Sequence, residues 1–197
     1  MTMTTRMTMP FLAAAAFAAA SAHAADGEPE PLDLSGIAAA RCIAGNTAAG
    51  TPSAYANRGA VNAFNGSGIV ADGTCGVTAD NAMFMLSSNS SGPFPWYIQV
   101  DLGRVVRLDG VKLYNFNFAS GGKAYTERGV REFKLYVSTG DAWKTSAADI
   151  QSNYSLVLSN RLARATGTPD YEGEYFSFDN PAAARYVALV ALDDWDD

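Results

Sequence analysis

Pro95 to Phe118 reads PWYIQVDLGRVVRLDGVKLYNFNF. Its first part, Tyr97 to Leu102, alternates: Ile98, Val100 and Leu102 fall on one face, and Tyr97, Gln99 and Asp101 on the other. Such period-two alternation marks a half-buried β-strand, because successive side chains leave a pleated backbone on opposite sides. Gly110 to Asn117 (GVKLYNFN) alternates again, with Val111 and Leu113 opposite Lys112 and Tyr114. Further along, Arg131 to Ser138 (REFKLYVS) points Phe133, Leu135 and Val137 inward, against Glu132, Lys134 and Tyr136. Residues 154–158, 174–178 and 185–192 are three further strand candidates, the last apolar on both faces. Six strands between turn signals, with no long amphipathic helix, predict an all-β antiparallel sandwich or jelly roll.

Upstream of this region the character changes. Residues 44–92 are dense in Gly, Ser, Thr, Asn and Ala, which predicts loops joined by short strands. Asp26 to Asp33 (DGEPEPLD) is acidic and proline-containing. At the start, Arg6 precedes the apolar run Pro10 to Ala20, and Ala22-His23-Ala24 has the small-x-small form of a signal-peptidase site. The apolar run is too short for a membrane span, which needs roughly 20 such residues. The predicted organisation is a signal peptide over 1–24, an acidic linker over 25–40 and one sandwich domain over 41–197. Export follows, to the periplasm, the medium or the cell surface.

Composition narrows the function. With 14 Lys plus Arg against 20 Asp plus Glu, net −6, the chain lacks the clustered cations that nucleic-acid phosphates require. His23 is the only histidine and leaves with the signal peptide. The mature chain then has no imidazole for a nucleophile triad or for a histidine-ligated metal. No phosphate-binding or dinucleotide fingerprint occurs. Asp170, Glu172 and Glu174 offer paired carboxylates of the kind a glycosidase uses, but equally an ordinary solvated face. Cys42 and Cys75, in an exported chain, read as a disulfide, with two buried thiols as the alternative.

Four ordered blocks then carry a resemblance. The run Pro95 to Phe118 resembles the central signature of the discoidin family, the coagulation-factor type C domains, in which W-x-(I/L)-Q-(V/F)-D-L-G precedes a second strand. RGVREFKLYVSTGDAW (Arg128 to Trp143) is similar to the family's next hairpin, PAAARYVALVAL (Pro181 to Leu192) to its late strand, and AVNAFNGSG (Ala60 to Gly68) to its "D-G" loop. The resemblance implies a galactose-binding-like jelly roll that binds through loops at one end. It also implies a non-catalytic carbohydrate-binding or adhesive module, with cell-surface or plant-wall glycans as partners. A structural or protein-adhesion domain without a sugar site is the alternative, and a glycosidase a distant third. Two departures stand out: Asn65 replaces the family's loop aspartate, and the family's closing strand with its glutamate does not follow before Asp197, so the domain reads as truncated.

Site residues follow from these blocks. Asn115, Asn117 and Arg128 are the sugar-binding candidates, since amides and guanidinium forks suit hydroxyl groups. Trp195, in the acidic tip Asp193 to Asp197, offers a ring to stack on a pyranose. Trp96 and Trp143 read as core. A weak structural Ca2+ would use Asn62, Ala63, Asn65 and Ser67, with Asp72 as the nearby carboxylate.

Overall fold

Two long strands carry the architecture. In the computed structural model, residues 18–21, 30–34, 36–46, 58–66, 68–69, 75, 84, 94–140 and 142–196 are described. Trp96–Leu113 forms one strand, β4, and Glu174–Ala191 forms another, β9. They pair antiparallel from Trp96 opposite Ala191 to Leu113 opposite Glu174, with breaks in register between Asp101 and Val106 and between Leu108 and Gly110. The two strands expected at 97–102 and 110–117 are therefore one strand that stops at Leu113, and those expected at 174–178 and 185–192 are likewise one.

The ribbon does not stay flat. Its pairing breaks between Asp101 and Val106, where Gly103 takes φ +77°, a region an L side chain rarely adopts. The Gly103 N–H donates to Asp101 Oδ1 at 2.7 Å. Across the bend, Arg185 grips the same carboxylate, Nε to Oδ1 at 3.0 Å and Nη2 to Oδ2 at 3.2 Å. Val100 and Val187 from one half of the ribbon and Leu108, Val111 and Phe178 from the other then line the same interior space. The ribbon has folded back on itself.

Each half recruits its own neighbours. On the first, β3 (Cys42–Asn46) pairs with Trp96 to Val100, while β7 (Glu132–Ser138) pairs with β9 and β8 (Ser155–Arg161) with β7. On the second, β1 (Ala18–Ser21) pairs with Leu108 to Lys112 and β2 (Glu30–Leu32) with β1. β5 (Ala119–Ser120) and β6 (Lys123–Ala124) make a separate two-stranded hairpin. The result is the antiparallel β-sandwich that the alternation implies. Between its layers lie Ile98, Leu108, Leu113, Phe133, Leu135 and Leu189, none more than 1% exposed. Burying each such side chain is worth about 1.5–3 kcal/mol.

The outer face departs from expectation. Tyr97, Gln99 and Tyr136, assigned outward by alternation, are buried. A short helix, α1 (Ala147–Asn153), lies over them and adds Ala147 and Ile150 to a second cluster with Tyr154, Tyr186 and Val190. Ser146 caps α1 by accepting from the Asp149 N–H at 3.1 Å. Gln99, fully buried, is satisfied there: its Nε2 donates to Lys144 O at 3.1 Å, and its Oε1 accepts from the Tyr154 hydroxyl at 2.6 Å. Trp96 is core, whereas Trp143 is half-buried at the edge of this second cluster, edge-on to Tyr186.

Segments upstream of β3 also join the sheet and the core. Leu32, Leu34 and Ile37, within the segment 25–40 read as linker, pack on the core. β1 itself lies within the segment read as signal peptide. The Cys42–Cys75 bridge is not formed: Cys42 belongs to the main core, and Cys75 to a separate cluster with Tyr114, Ala165 and Tyr171. Burial pushes both thiols up, Cys42 to about 12 and Cys75 to about 11.

A core truncation tests the layer assignment. Leu135→Ala should cost about 2–5 kcal/mol in urea unfolding, because nothing can collapse into the gap between the layers. Leu156→Ala on β8, where the side chain is 51% exposed, should stay within about 0.5 kcal/mol. Equal effects at the two positions would contradict the sandwich.

Candidate functional site

Because the ribbon folds back, its two ends meet, and the chain leaving them collects at one end of the sandwich. Three segments gather there: residues 114–130, 162–173 and 192–196. Buried amides tie them together. Asn115, 2% exposed, donates from Nδ2 to Val130 O at 2.7 Å and Ala163 O at 2.8 Å, and its Oδ1 accepts from the Phe116 N–H. Asn117, also 2% exposed, donates to Cys75 O at 3.0 Å and Thr168 O at 2.7 Å, while its Oδ1 accepts from Gly167 N–H at 2.8 Å. Both side-chain donors of each amide are thus committed within the protein. Asn115 and Asn117, expected to bind sugar, hold loops in the structure, beyond the end of the strand at Leu113. Gly129 is required beside them, since a Cβ there would lie 2.3 Å from Asn115 Oδ1.

Above these ties lies an aromatic and cationic surface. Trp195 is half-buried; its backbone N–H lies 3.1 Å from Glu127 O and 3.2 Å from Gly129 O, and its indole Nε1 donates to Leu162 O at 3.2 Å. Those two carbonyls flank Arg128, so the structure does bring Trp195 and Arg128 together. The Arg161 guanidinium stands 4.8 Å from the Trp195 ring and that of Arg131 6.0 Å from it. Arg128 in turn lies 4.7 Å from the ring of Tyr125, which Lys123 Nζ and Phe118 also approach. Arg131 is paired with Asp193, its Nε donating to Oδ2 at 2.7 Å. Arg164 reaches Thr126 Oγ1 at 2.8 Å and Glu127 Oε2 at 3.3 Å.

Trp195 and Arg128 were expected at a site from the sequence; Tyr125, Arg131 and Arg161, whose rings and guanidinium groups lie against them, were not. The only available signal was the density of aromatic and arginine residues in the loops around the late strand. Arg128 Nε lies 4.0 Å from Glu127 Oε1 in an ion pair. Glu174 accepts from the Ala163 N–H, and Asp170 contacts the Thr168 hydroxyl, so both serve loop structure.

In the calcium loop, the turn Ala60–Ala63 is closed by backbone bonds from Asn62 N–H to Gly59 O and from Asn65 N–H to Val61 O. Ser67 and Asp72 lie outside the described residues. Among the described residues no cluster of three or more acidic, histidine or cysteine side chains is placed to hold a metal ion.

A family model for the F5/8 type C domain matches residues 48–197. The chain belongs to the F5/8 type C, or discoidin, family. Curated proteins give no match. Among solved structures, the F5/8 type C chain is similar to CpGH89CBM32-5 from Clostridium perfringens, in complex with GalNAc-β-1,3-galactose: 18% identity, TM-score 0.47, covering 78% of this chain and 84% of that one. The family 32 module of C. perfringens NanJ, in complex with galactose, is 13% identical at TM-score 0.46, covering 79% and 85%. A chitosan-binding module of a Paenibacillus chitosanase/glucanase is 17% identical at TM-score 0.40, covering 77% and 80%.

The acidic tip carries a titratable group of its own. Asp194 is 7% exposed, and burial, with Asp196 and Asp193 adding repulsion, pushes its carboxyl up to about 6 against the hydrogen bond from Asp196 N–H and the charge of Arg131. The native state therefore binds this proton more tightly than the unfolded chain, whose value is near 3.8. That contribution is complete below 3.8 and is lost as pH rises through about 6. The stability of the wild type minus that of Asp194→Asn should accordingly fall between about pH 4 and about pH 7 in denaturant titrations. A pH-independent difference would remove the assignment.

Proposed function

We propose that this F5/8 type C domain is a non-catalytic carbohydrate-binding module of an exported bacterial protein, engaging neutral hydroxyl-rich glycans of cell surfaces or plant walls at its loop end. One observation carries the reading: Trp195, half-buried and held by three hydrogen bonds, has Arg161 and Arg131 against its ring, and its backbone bonds the turn in which Arg128 stacks on Tyr125. An aromatic face accepts the C–H side of a pyranose, and guanidinium N–H groups donate to its hydroxyls. A small, open site of this kind binds weakly, since ordering costs absorb much of the contact energy.

Export rests on the leader pattern at 1–24. Cleavage after Ala24 would remove β1 and leave the Leu108–Lys112 edge of β4 without that partner. Among the described residues no helix is long and apolar enough to cross a membrane. A Ca2+ ion belongs to the same proposal, at Asn62, Ala63 and Asn65 with Ser67 and Asp72. The described members bring neutral oxygens, which fits weak affinity for a hard dication. A site half-filled at the working calcium concentration stabilises by only about 0.4 kcal/mol. Chelator should therefore move the melting temperature by no more than about 2 °C; a larger drop would mean a tight site.

Calorimetry with galactose, GalNAc-β-1,3-galactose and chitosan oligomers tests the reading. Trp195→Ala should weaken the bound glycan at least tenfold, and Tyr125→Ala severalfold, with Trp195→Phe largely restoring it. Unchanged circular dichroism separates loss of the ring from loss of fold. Absence of heat with every glycan at millimolar concentration, alongside capture of a specific protein, would favour the protein-adhesion alternative.

A further inference from the structure

The tip at residues 192–196 is seated on the turn at 127–131 by its backbone. The Arg131 N–H donates to Asp193 O at 2.9 Å, and Asp194 forms a β-bridge to Val130. The Trp195 N–H bonds Glu127 O and Gly129 O. In the middle of this seat lies a carboxylate: Asp194 is 7% exposed. Among the described residues it receives one hydrogen bond, from the Asp196 N–H at 3.1 Å. The Arg131 guanidinium bonds the neighbouring Asp193 instead, Nε to Oδ2 at 2.7 Å. Asp101, at the other end of the sandwich, receives three bonds, two of them from a guanidinium. Asp194 has one neutral donor and two like charges, Asp193 and Asp196, beside it in the chain.

The other charged groups of the elements packed on the tip have their own contacts. Glu127 takes Arg164 at 3.3 Å and Arg128 at 4.0 Å, and Arg161 lies 4.8 Å from the Trp195 ring. Glu132, whose carbonyl accepts from the Leu192 N–H, is exposed. No histidine lies in the tip or in the turn. We infer that Asp194 is a pH-sensitive latch on Trp195: neutral, it lets the tip stay seated, and ionised, it favours release of the tip and its indole ring. The sign follows from burial, which disfavours the charged form. Burial first, then the charges of Asp196 and Asp193, push the carboxyl up to about 6 from 3.8. The seated tip thus holds the proton more tightly than the released one, so seating is firmest below 3.8 and weakens as pH rises through about 6. Between about pH 4 and about pH 8 the ratio of seated to released tip falls about fiftyfold. On the proposed function, the glycan-binding ring is placed most firmly in acid; the latch itself stands whether or not the loop end binds glycan.

Hydrogen exchange of the full chain, followed by NMR with each rate divided by the intrinsic rate at that pH, reads the released fraction at the Trp195 N–H. Protection there should lie below that of the core Leu135 N–H. It should fall about fiftyfold between about pH 4 and about pH 8. Asp194→Asn, neutral throughout, should hold Trp195 protection within about twofold over the same range. Should that variant fail to fold, Asp196→Asn decides: removing one like charge should make the fall at least about twofold smaller. The proposal fails if wild-type protection is flat or rises with pH, or if either variant keeps the wild-type profile. It fails also if Trp195 exchanges only together with Leu135, since the tip would then open only with the whole fold.

Discussion

Everything in this sandwich hangs on the turn-back of one ribbon, and that turn-back is held by the Asp101 carboxylate. Asp101 is the last residue of β4 paired before the register breaks, and its side chain is only 14% exposed. A carboxylate at that depth is tolerated because Arg185 and the Gly103 N–H supply three charge-assisted bonds. Burial alone would raise its pKa, but the Arg185 hydrogen bonds, the Gly103 N–H and the two arginine charges outweigh it, and the carboxyl titrates below its usual value. Its ionisation therefore stabilises the fold above about pH 4 and is lost on acidification below that. Asp194 acts in the opposite sense in a higher window, so the two ends of the molecule respond to acid oppositely.

The folded ribbon also explains why its central strands are apolar on both faces. Inward residues such as Val100, Val187 and Leu189 meet the second layer. Outward residues such as Tyr97, Ala188 and Val190 meet α1 and the chain around it. A strand at the middle of a sheet that is covered on one side by a layer and on the other by a helix has no solvent face to keep polar. Gln99 is the exception, and it is fully hydrogen-bonded within the cover.

Legibility tracked the period of the pattern. Strict alternation in Tyr97 to Leu102 and Arg131 to Ser138 located two strands and their inner faces, because half-burial leaves that trace directly. What it did not reveal was continuity: the bend residues Gly103 to Val105 look like a turn between two strands when they are a kink within one. It also could not foresee the helix over Tyr97 and Tyr136, since a seven-residue helix leaves almost no periodic signal. Among the candidate site residues, Trp195 and Arg128 were chosen by chemistry, and the Trp195 backbone bonds the carbonyls on either side of Arg128. Asn115 and Asn117 were chosen by the same reasoning and proved to be ties. An amide suits a sugar hydroxyl and a backbone carbonyl equally well, so residue type alone cannot separate the roles; burial does.

Arginines crowd both ends of a chain that is acidic overall, with net charge −6, and their partners decide what each end can recognise. At the loop end, Arg131 is matched by Asp193, and Arg128 and Arg164 by Glu127. Guanidinium groups neutralised in this way still present N–H edges and stacking faces, but little net field beyond a Debye length of about 8 Å. On the proposed function, that combination suits neutral, hydroxyl-rich ligands. At the bend, Arg185 and the Gly103 N–H hydrogen-bond the Asp101 carboxylate, and Arg41 shares it as a longer ion pair at 3.7 Å. One folded ribbon thus ties its arginines to carboxylates at both ends, Arg185 and Arg41 to Asp101 at the bend and Arg131 to Asp193 at the loop end.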